Sequence, residues 1–134
     1  GLGDVDKRQA LDDFKYMASK YWPGPLTMII PISEKSKSLF PSCNLTLGLR
    51  IPNSMMAKFL INGSGPLLTS SANISGSTGS ITAEGISLEF PSVDILGPVP
   101  WEKGSGKAST IISWEKRRDW KLIRKGEVII KGLD

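Results

Sequence analysis

The sequence predicts an α/β domain built on a mixed sheet. Three observations carry that expectation: an amphipathic helical pattern over residues 6–21, strict alternation over residues 45–51, and a hairpin pattern with a charged turn over residues 109–124. Helices set between parallel-capable and hairpin strands point to a mixed sheet rather than to a bundle or a sandwich. At 134 residues, 40% hydrophobic and 22% charged, the chain supplies one core and is short for two, so residues 1–134 are expected to form a single domain.

Asp6 followed three residues later by Gln9 matches a capping box, and Leu11, Phe14, Ala18 and Tyr21 recur at helical spacing as the stripe expected in the core. Asp12 and Asp13 are adjacent and so point in different directions on a helix, which removes them as a paired-carboxylate site. Trp22-Pro23-Gly24-Pro25 cannot continue the helix, and residues 26–30 then read as a buried strand. Residues 31–44, with their Ser and Lys, read as a surface connection with room for a short turn of helix. In residues 45–51, Leu45, Leu47, Leu49 and Ile51 share one strand face while Thr46, Gly48 and Arg50 share the other. A hydroxyl, a bare backbone and a guanidinium in line suit an anionic ligand, although an Arg facing solvent beside a strand glycine accounts for the pattern equally well. Pro52 closes the strand. Asn53 or Ser54 can cap a short helix carrying Met55, Met56, Phe59 and Leu60, whose methionines are expected as core filler rather than ligands.

Residues 66–68 read as a short buried strand that feeds a polar loop, with six hydroxyl or amide side chains between Thr69 and Ser77. Such a loop lets backbone N–H groups approach an anion or nucleotide, and it is also the composition of an ordinary Ser-rich turn. Thr82-Ala83-Glu84 starts a short helix, and residues 97–108 form a loop. Gly104-Ser105-Gly106-Lys107 resembles a phosphate-binding P-loop, but Trp101 stands at the first glycine position, Ala108 follows the lysine, and a strand rather than a helix comes next. The Walker reading is therefore rejected. Residues 109–114 and 120–124 form the hairpin, and Gly126 breaks it before the apolar residues 128–130.

The chain has no histidine and one cysteine, Cys43, so an internal disulfide, a zinc centre and His-dependent catalysis are excluded within it. No apolar run reaches the roughly 18 residues that cross a bilayer, and a soluble, cytoplasmic protein without a membrane partner is expected. Residues 101–134 hold nine Lys/Arg against five Asp/Glu, which accounts for the whole net charge of +4 and suggests an anionic partner such as nucleotide phosphates or RNA.

Four blocks in order resemble the YrdC-like family, the threonylcarbamoyl-AMP synthases of tRNA modification. They are Tyr21-Trp22-Pro23-Gly24-Pro25-Leu26-Thr27, Leu47-Gly48-Leu49-Arg50-Ile51-Pro52, Leu68-Thr69-Ser70-Ser71-Ala72-Asn73-Ile74-Ser75-Gly76, and Ser109-Thr110-Ile111-Ile112 with Ile123-Arg124-Lys125-Gly126. The resemblance implies an open twisted mixed sheet with flanking helices around a basic cavity. It implies a nucleotidyltransferase that converts L-threonine, bicarbonate and ATP to threonylcarbamoyl-AMP and pyrophosphate, with Mg²⁺ held through the phosphates and no metal site on the protein. The adenylate would pass to the tRNA threonylcarbamoyl-transfer machinery. By the same resemblance Thr46, Ser71, Asn73 and Arg124 bind ATP, and Arg50 and Ser109 bind threonine or its carbamoyl group, while no catalytic residue is implied. The family's N-terminal Pro-Thr-Asp-Thr-like strand and Lys-x-Arg pair have no counterpart here. A fragment or a short relative with an exposed sheet edge is therefore expected. The alternative function is a non-catalytic module that binds nucleotide or RNA, double-stranded RNA included.

Overall fold

The computed structural model describes residues 3–40 and 45–133. Cys43 and the end of the expected surface connection lie outside the described residues. In chain order the elements are α1 (Asp4–Tyr21), β1 (Leu26–Pro31), α2 (Glu34–Leu39), β2 (Thr46–Leu49), α3 (Met55–Ser64), α4 (Ala83–Glu89), β3 (Thr110–Lys116) and β4 (Asp119–Arg124). The strands form one twisted open sheet in the order β2-β1-β3-β4. The outer pairs are antiparallel and the central β1–β3 pair is parallel, so the sheet is mixed as the sequence predicts. The chain divides into two units, Gly1–Gly65 with Ala108–Asp134, and Pro66–Lys107.

In the sheet unit, α1 begins two residues before the predicted capping box. Gly3 is its N-cap and makes no side-chain cap bond; Asp4 and Asp6 instead lie in the first turn, where carboxylates complement the helix dipole. The buried stripe also differs from the predicted one. Ala10 and Met17 are buried, Phe14, Ala18 and Tyr21 pack against the core cluster that Met17 belongs to, and Leu11 is 47% exposed. Leu11 shares the stripe's periodicity but lies at its margin, one residue off the face that α1 lays on the sheet.

Met17 meets Leu26 and Met28 of β1 and Ile112 of β3, and these four residues are the centre of the core. The Trp22 ring stands edge-on to Phe14 with centroids 5.2 Å apart, and its indole N–H donates to the Leu26 carbonyl at 2.7 Å. That bond carries the chain from helix to strand. Asp13 ties the far end of the hairpin to the helix: its Oδ2 accepts from the buried Trp114 indole at 2.9 Å and from the Arg118 backbone N–H at 2.6 Å. Arg118 has φ +59°, a left-handed conformation that costs energy for a residue with a Cβ, and the charge-assisted bond from its N–H offsets that cost.

Ser54 caps α3 by accepting from the Ala57 N–H, and Gly65 ends the helix at φ +80° while its N–H donates to the Ile61 carbonyl. The expectation that the α3 methionines are core filler is corrected for Met55, which is 78% exposed, and Phe59 is 82% exposed. The helix has an apolar arc opposite Lys58 and Asn62, but no described strand or helix lies against it.

In the second unit the expected strand over residues 66–68 is absent. The segment is irregular and Leu68 is 73% exposed. A three-residue apolar run is too short to specify pairing by itself, and no described strand pairs with it. The polar loop that follows is ordered locally, and α4 is capped by Thr82, whose side chain accepts from the Gly85 N–H. Among the described residues no helix is long and apolar enough to cross a membrane.

Asp13→Ala is expected to lower unfolding free energy by about 1.5 to 3 kcal/mol, because it leaves the buried Trp114 N–H without its charged acceptor. Chemical denaturation followed by tryptophan fluorescence measures this, and a loss below about 0.5 kcal/mol would show that Asp13 does not hold the hairpin.

Candidate functional site

Strand alternation gives the sheet two unlike faces. Leu26, Met28, Thr110 and Ile112 point into the core and are almost wholly buried. Thr27, Ile29 and Pro31 of β1 therefore lie on the other face, in register with Ile111 and Ser113 of β3 and with Gly48 and Thr46 of β2. Thr46, Gly48 and Arg50 share this face, as the alternation predicts. Leu45 and Ile51, expected on the core face, remain about half exposed beyond the ends of β2.

The polar side chains gather at one end of this face, where β1 and β3 begin and β2 and β4 end. The Arg124 guanidinium donates to the Ser109 carbonyl from Nε at 3.1 Å and from Nη2 at 2.7 Å, and Nη2 also reaches Ser109 Oγ at 3.1 Å. Ser109 Oγ in turn lies 2.9 Å from Thr27 Oγ1. Arg50 donates from Nε to the Gly24 carbonyl at 3.1 Å, while the Gly24 N–H donates to the Ile51 carbonyl at 2.8 Å. The turn that ends α1 thus holds the guanidinium by its inner nitrogen and leaves the outer two for a ligand.

A chain crossing fixes the cluster's floor. The Glu127 N–H donates to the Ala108 carbonyl at 3.0 Å, and Thr110 Oγ1 donates to the Val128 carbonyl at 2.6 Å. Between them Gly126 lies so close that a Cβ there would overlap the backbone of Ser109 and Thr110. Only a residue without a side chain lets the segment after β4 press against the start of β3.

Arg50 is exposed as a residue, yet its guanidinium is partly shielded where it meets Gly24. That desolvation holds its pKa below the ordinary arginine value; the Glu127 carboxylate acts in the opposite sense, and the Arg124 charge lowers it further. The guanidinium stays protonated at neutral pH, so the end of the sheet carries two mutually repelling cations, an arrangement that favours an anion between them.

Thr46 shares the face without joining the cluster. It pairs with Pro31 at the other end of β1, four residues or about 13 Å along the strand from Arg50. Ser71 and Asn73 belong to the second unit. Ser71 is exposed, and Asn73 is half-buried with its Nδ2 donating to the carbonyls of Ile74 at 3.1 Å and Ser77 at 3.0 Å. Those bonds leave the Asn73 amide oxygen as the atom for a ligand. Sequence reasoning passed over Thr27 and Glu127. Thr27 is the one polar residue of β1, and the alternation that assigned Thr46 and Arg50 places it on the same face.

A separate groove of about 1100 Å³ lies on the helix-covered side of the sheet unit, between α1, the hairpin turn and residues 130–133. Arg8 and Lys20 of α1, Arg117 and Arg118 of the turn, and Lys131 line it with Tyr16 and Trp120. It shares no residue with the Arg50–Arg124 cluster. Among the described residues no three His, Cys, Asp or Glu gather as a metal site.

The family model Sua5_yciO_yrdC, described as "Telomere recombination", matches residues 5–126, nearly the whole chain. The chain belongs to the Sua5/YciO/YrdC family. Over 88 residues it is 31% identical to the threonylcarbamoyl-AMP synthase of Pyrococcus abyssi, covering 65% of this chain and 26% of that protein. Over 77 residues it is 34% identical to the protein of the same name from Yersinia pestis, covering 56% of this chain and 40% of the relative. The chain therefore spans between a quarter and two fifths of these relatives. Among solved structures, P. abyssi Sua5 complexed with L-threonine superposes with a TM-score of 0.71 at 28% identity, over 86% of this chain and 34% of that one. A doubly substituted P. abyssi Sua5 gives 0.72 at 27% identity, over 92% and 38%. The sheet described above is thus a Sua5/YciO/YrdC sheet, and the Arg50–Arg124 cluster is the polar end of its open face.

Gly126→Ala is expected to cost about 1 to 3 kcal/mol, as other overpacked sites do, and to displace Ser109. A thermal melt reads the first effect, and backbone amide chemical shifts at Ser109 and Thr110 read the second. An alanine variant with unchanged shifts would remove the close crossing as a constraint.

Proposed function

We propose that this module takes part in synthesis of threonylcarbamoyl-AMP, from L-threonine, bicarbonate and ATP with release of pyrophosphate and water, for modification of tRNA. The observation that carries the reading is the gathering of Arg50, Arg124 and Ser109 at one end of an open sheet face, in a chain of this family. A relative from P. abyssi has been crystallised with L-threonine, which supports an amino acid as one ligand of such a sheet.

The chemistry asked of the site is charge neutralisation and positioning. Carbamate formation and adenylyl transfer both develop negative charge on oxygen, and fixed N–H and O–H donors stabilise it without reorganising. Arg124 is suited to the ATP phosphates and Arg50 with Ser109 to the threonine carboxylate or its carbamate. Ser71 and Asn73, in the second unit, carry groups suited to hydrogen bonds with a nucleotide, and Thr46 would extend the ATP contacts along β2. The clustered groups are two guanidinium donors and two neutral hydroxyls, with Glu127 the one carboxylate beside them, a set that suits phosphate oxygens and not a metal. Mg²⁺ would therefore arrive on the triphosphate, held mainly by its oxygens.

A second reading, RNA contact by a module without catalysis, is favoured by the basic groove beside the hairpin turn. Five cations against three aspartates, Asp12, Asp13 and Asp119, leave the groove net positive, and its three aromatic rings, Tyr16, Tyr21 and Trp120, offer stacking surfaces of the kind RNA uses. RNA contact at the groove is compatible with synthesis at the cluster, since the two use different residues.

Incubation with Mg-ATP is expected to release pyrophosphate only when L-threonine and bicarbonate are both present. Arg50→Ala and Arg124→Ala are expected to weaken ATP or threonine binding about 10- to 100-fold, the value of a hydrogen bond to a charged group, while Lys116→Ala changes neither. Equal losses in all three variants would remove the site assignment, and folded protein without release would leave binding as the module's contribution. RNA affinity is expected to fall linearly with log salt, and Arg117→Ala should reduce that slope by about 0.7 to 0.9. A slope that Arg117→Ala leaves unchanged would remove the groove as the contact.

A further inference from the structure

We infer that Thr27 is a positioning residue that directs a hydroxyl proton of the Thr27–Ser109 pair toward an anionic oxygen of the ligand. The inference rests on the function proposed above and deepens it by naming what the site recognises: a carboxylate or carbamate oxygen of an amino acid. Thr27 ends the first of the four family-like blocks and lies inside the apolar run of β1, yet the resemblance assigns it no role.

Donor counting carries the inference. Ser109 Oγ has two lone pairs and one proton, and a guanidinium can only donate. Arg124 Nη2, at 3.1 Å, therefore occupies one Ser109 lone pair. The 2.9 Å contact between Ser109 Oγ and Thr27 Oγ1 holds one proton between two oxygens. The pair owns two hydroxyl protons, and neither hydroxyl has another protein partner among the described residues. One proton is left over. When Thr27 donates to Ser109, both Ser109 lone pairs are filled and the Ser109 O–H must point outward; when Ser109 donates to Thr27, the Thr27 O–H does. In both arrangements Arg124 and the hydroxyl pair present a donor at this end of the sheet, which suits an acceptor-only oxygen. Without Thr27, one lone pair of the buried Ser109 is vacated and its proton is no longer directed.

Thr27 is well placed to act without moving. Ser109 is buried, and its carbonyl is held by two Arg124 nitrogens, so the hydroxyl's setting depends on Thr27 and Arg124 alone. The Thr27 methyl occupies the space above Gly48, where a Cβ would come within 3.6 Å of it.

The test is a double-mutant cycle on L-threonine binding, read by calorimetric titration of the 134-residue chain. Thr27→Val keeps the shape and removes the hydroxyl, and it is expected to weaken binding about 3- to 10-fold, as does Ser109→Ala. The double variant is expected to bind no more weakly than the worse single one, since both changes remove the same outward donor. Thr27→Ser, which restores the hydroxyl without the methyl, is expected to bind within about 2-fold of the unaltered chain. A purely structural role for Thr27 predicts the opposite pattern, with losses that multiply in the double variant and no rescue by Ser. Either of those results, or binding unchanged in Thr27→Val, overturns the inference alone. Should Thr27→Val not fold, Thr27→Ala removes the same hydroxyl and takes its place in the cycle. No L-threonine binding by the unaltered, folded chain overturns the proposed function and this inference with it.

Discussion

Parallel pairing of β1 with β3 joins residues more than eighty positions apart, and the site's geometry descends from it. The register that sets Leu26 opposite Thr110 and Met28 opposite Ile112 buries those side chains against Met17 of α1. Because side chains alternate, the same register sends Thr27 to the other face beside Ser109. A slip of one residue would turn Thr27 into the core and Leu26 out to solvent. Burial of the apolar set therefore holds the polar set in place, and the cost of exposing Leu26, Met28 and Ile112 together, roughly 1.5 to 3 kcal/mol each, guards the site's geometry.

Around that pairing the polar groups are anchored through backbone. Arg50 is held by the Gly24 carbonyl, Arg124 by the Ser109 carbonyl, and the segment after β4 by Ala108 and Thr110. Carbonyls are acceptors that carry no net charge, so they orient the guanidinium groups without neutralising them. A carboxylate in the same places would hold the arginines as firmly and cancel much of the field that an anionic ligand would feel. Glu127 is the one acid with an effect on Arg50, and it is exposed.

Much of the sheet unit was legible in sequence because its signals are local and periodic. The alternation of Thr46 through Leu49 and the hairpin around Arg117 and Arg118 each lie within a few residues, and the structure reproduces them. Failures fall where tertiary partners decide. Asp6 matches a cap, but Gly3 starts the helix; Leu11 keeps the helical period, yet it lies beside the buried stripe and not in it. Residues 66–68 look like a strand until a pairing partner is required, and Met55 looks like core until something must cover it. Thr27 was passed over for the converse reason. Its significance comes from a hydroxyl 82 residues away, and no window along the chain contains both.

The crossing at Gly126 has a consequence for the order in which the protein comes into being. Thr27 emerges from the ribosome long before Ser109, and the segment that presses Ser109 against the sheet follows later still. Between the synthesis of β1 and that of β3 the helix and its first two strands exist without the parallel neighbour that covers Leu26 and Met28, leaving apolar surface for chaperones to shield. Such long-range closure makes for slow folding. The polar end of the sheet therefore takes its shape only once β3, β4 and the segment after Gly126 have joined β1.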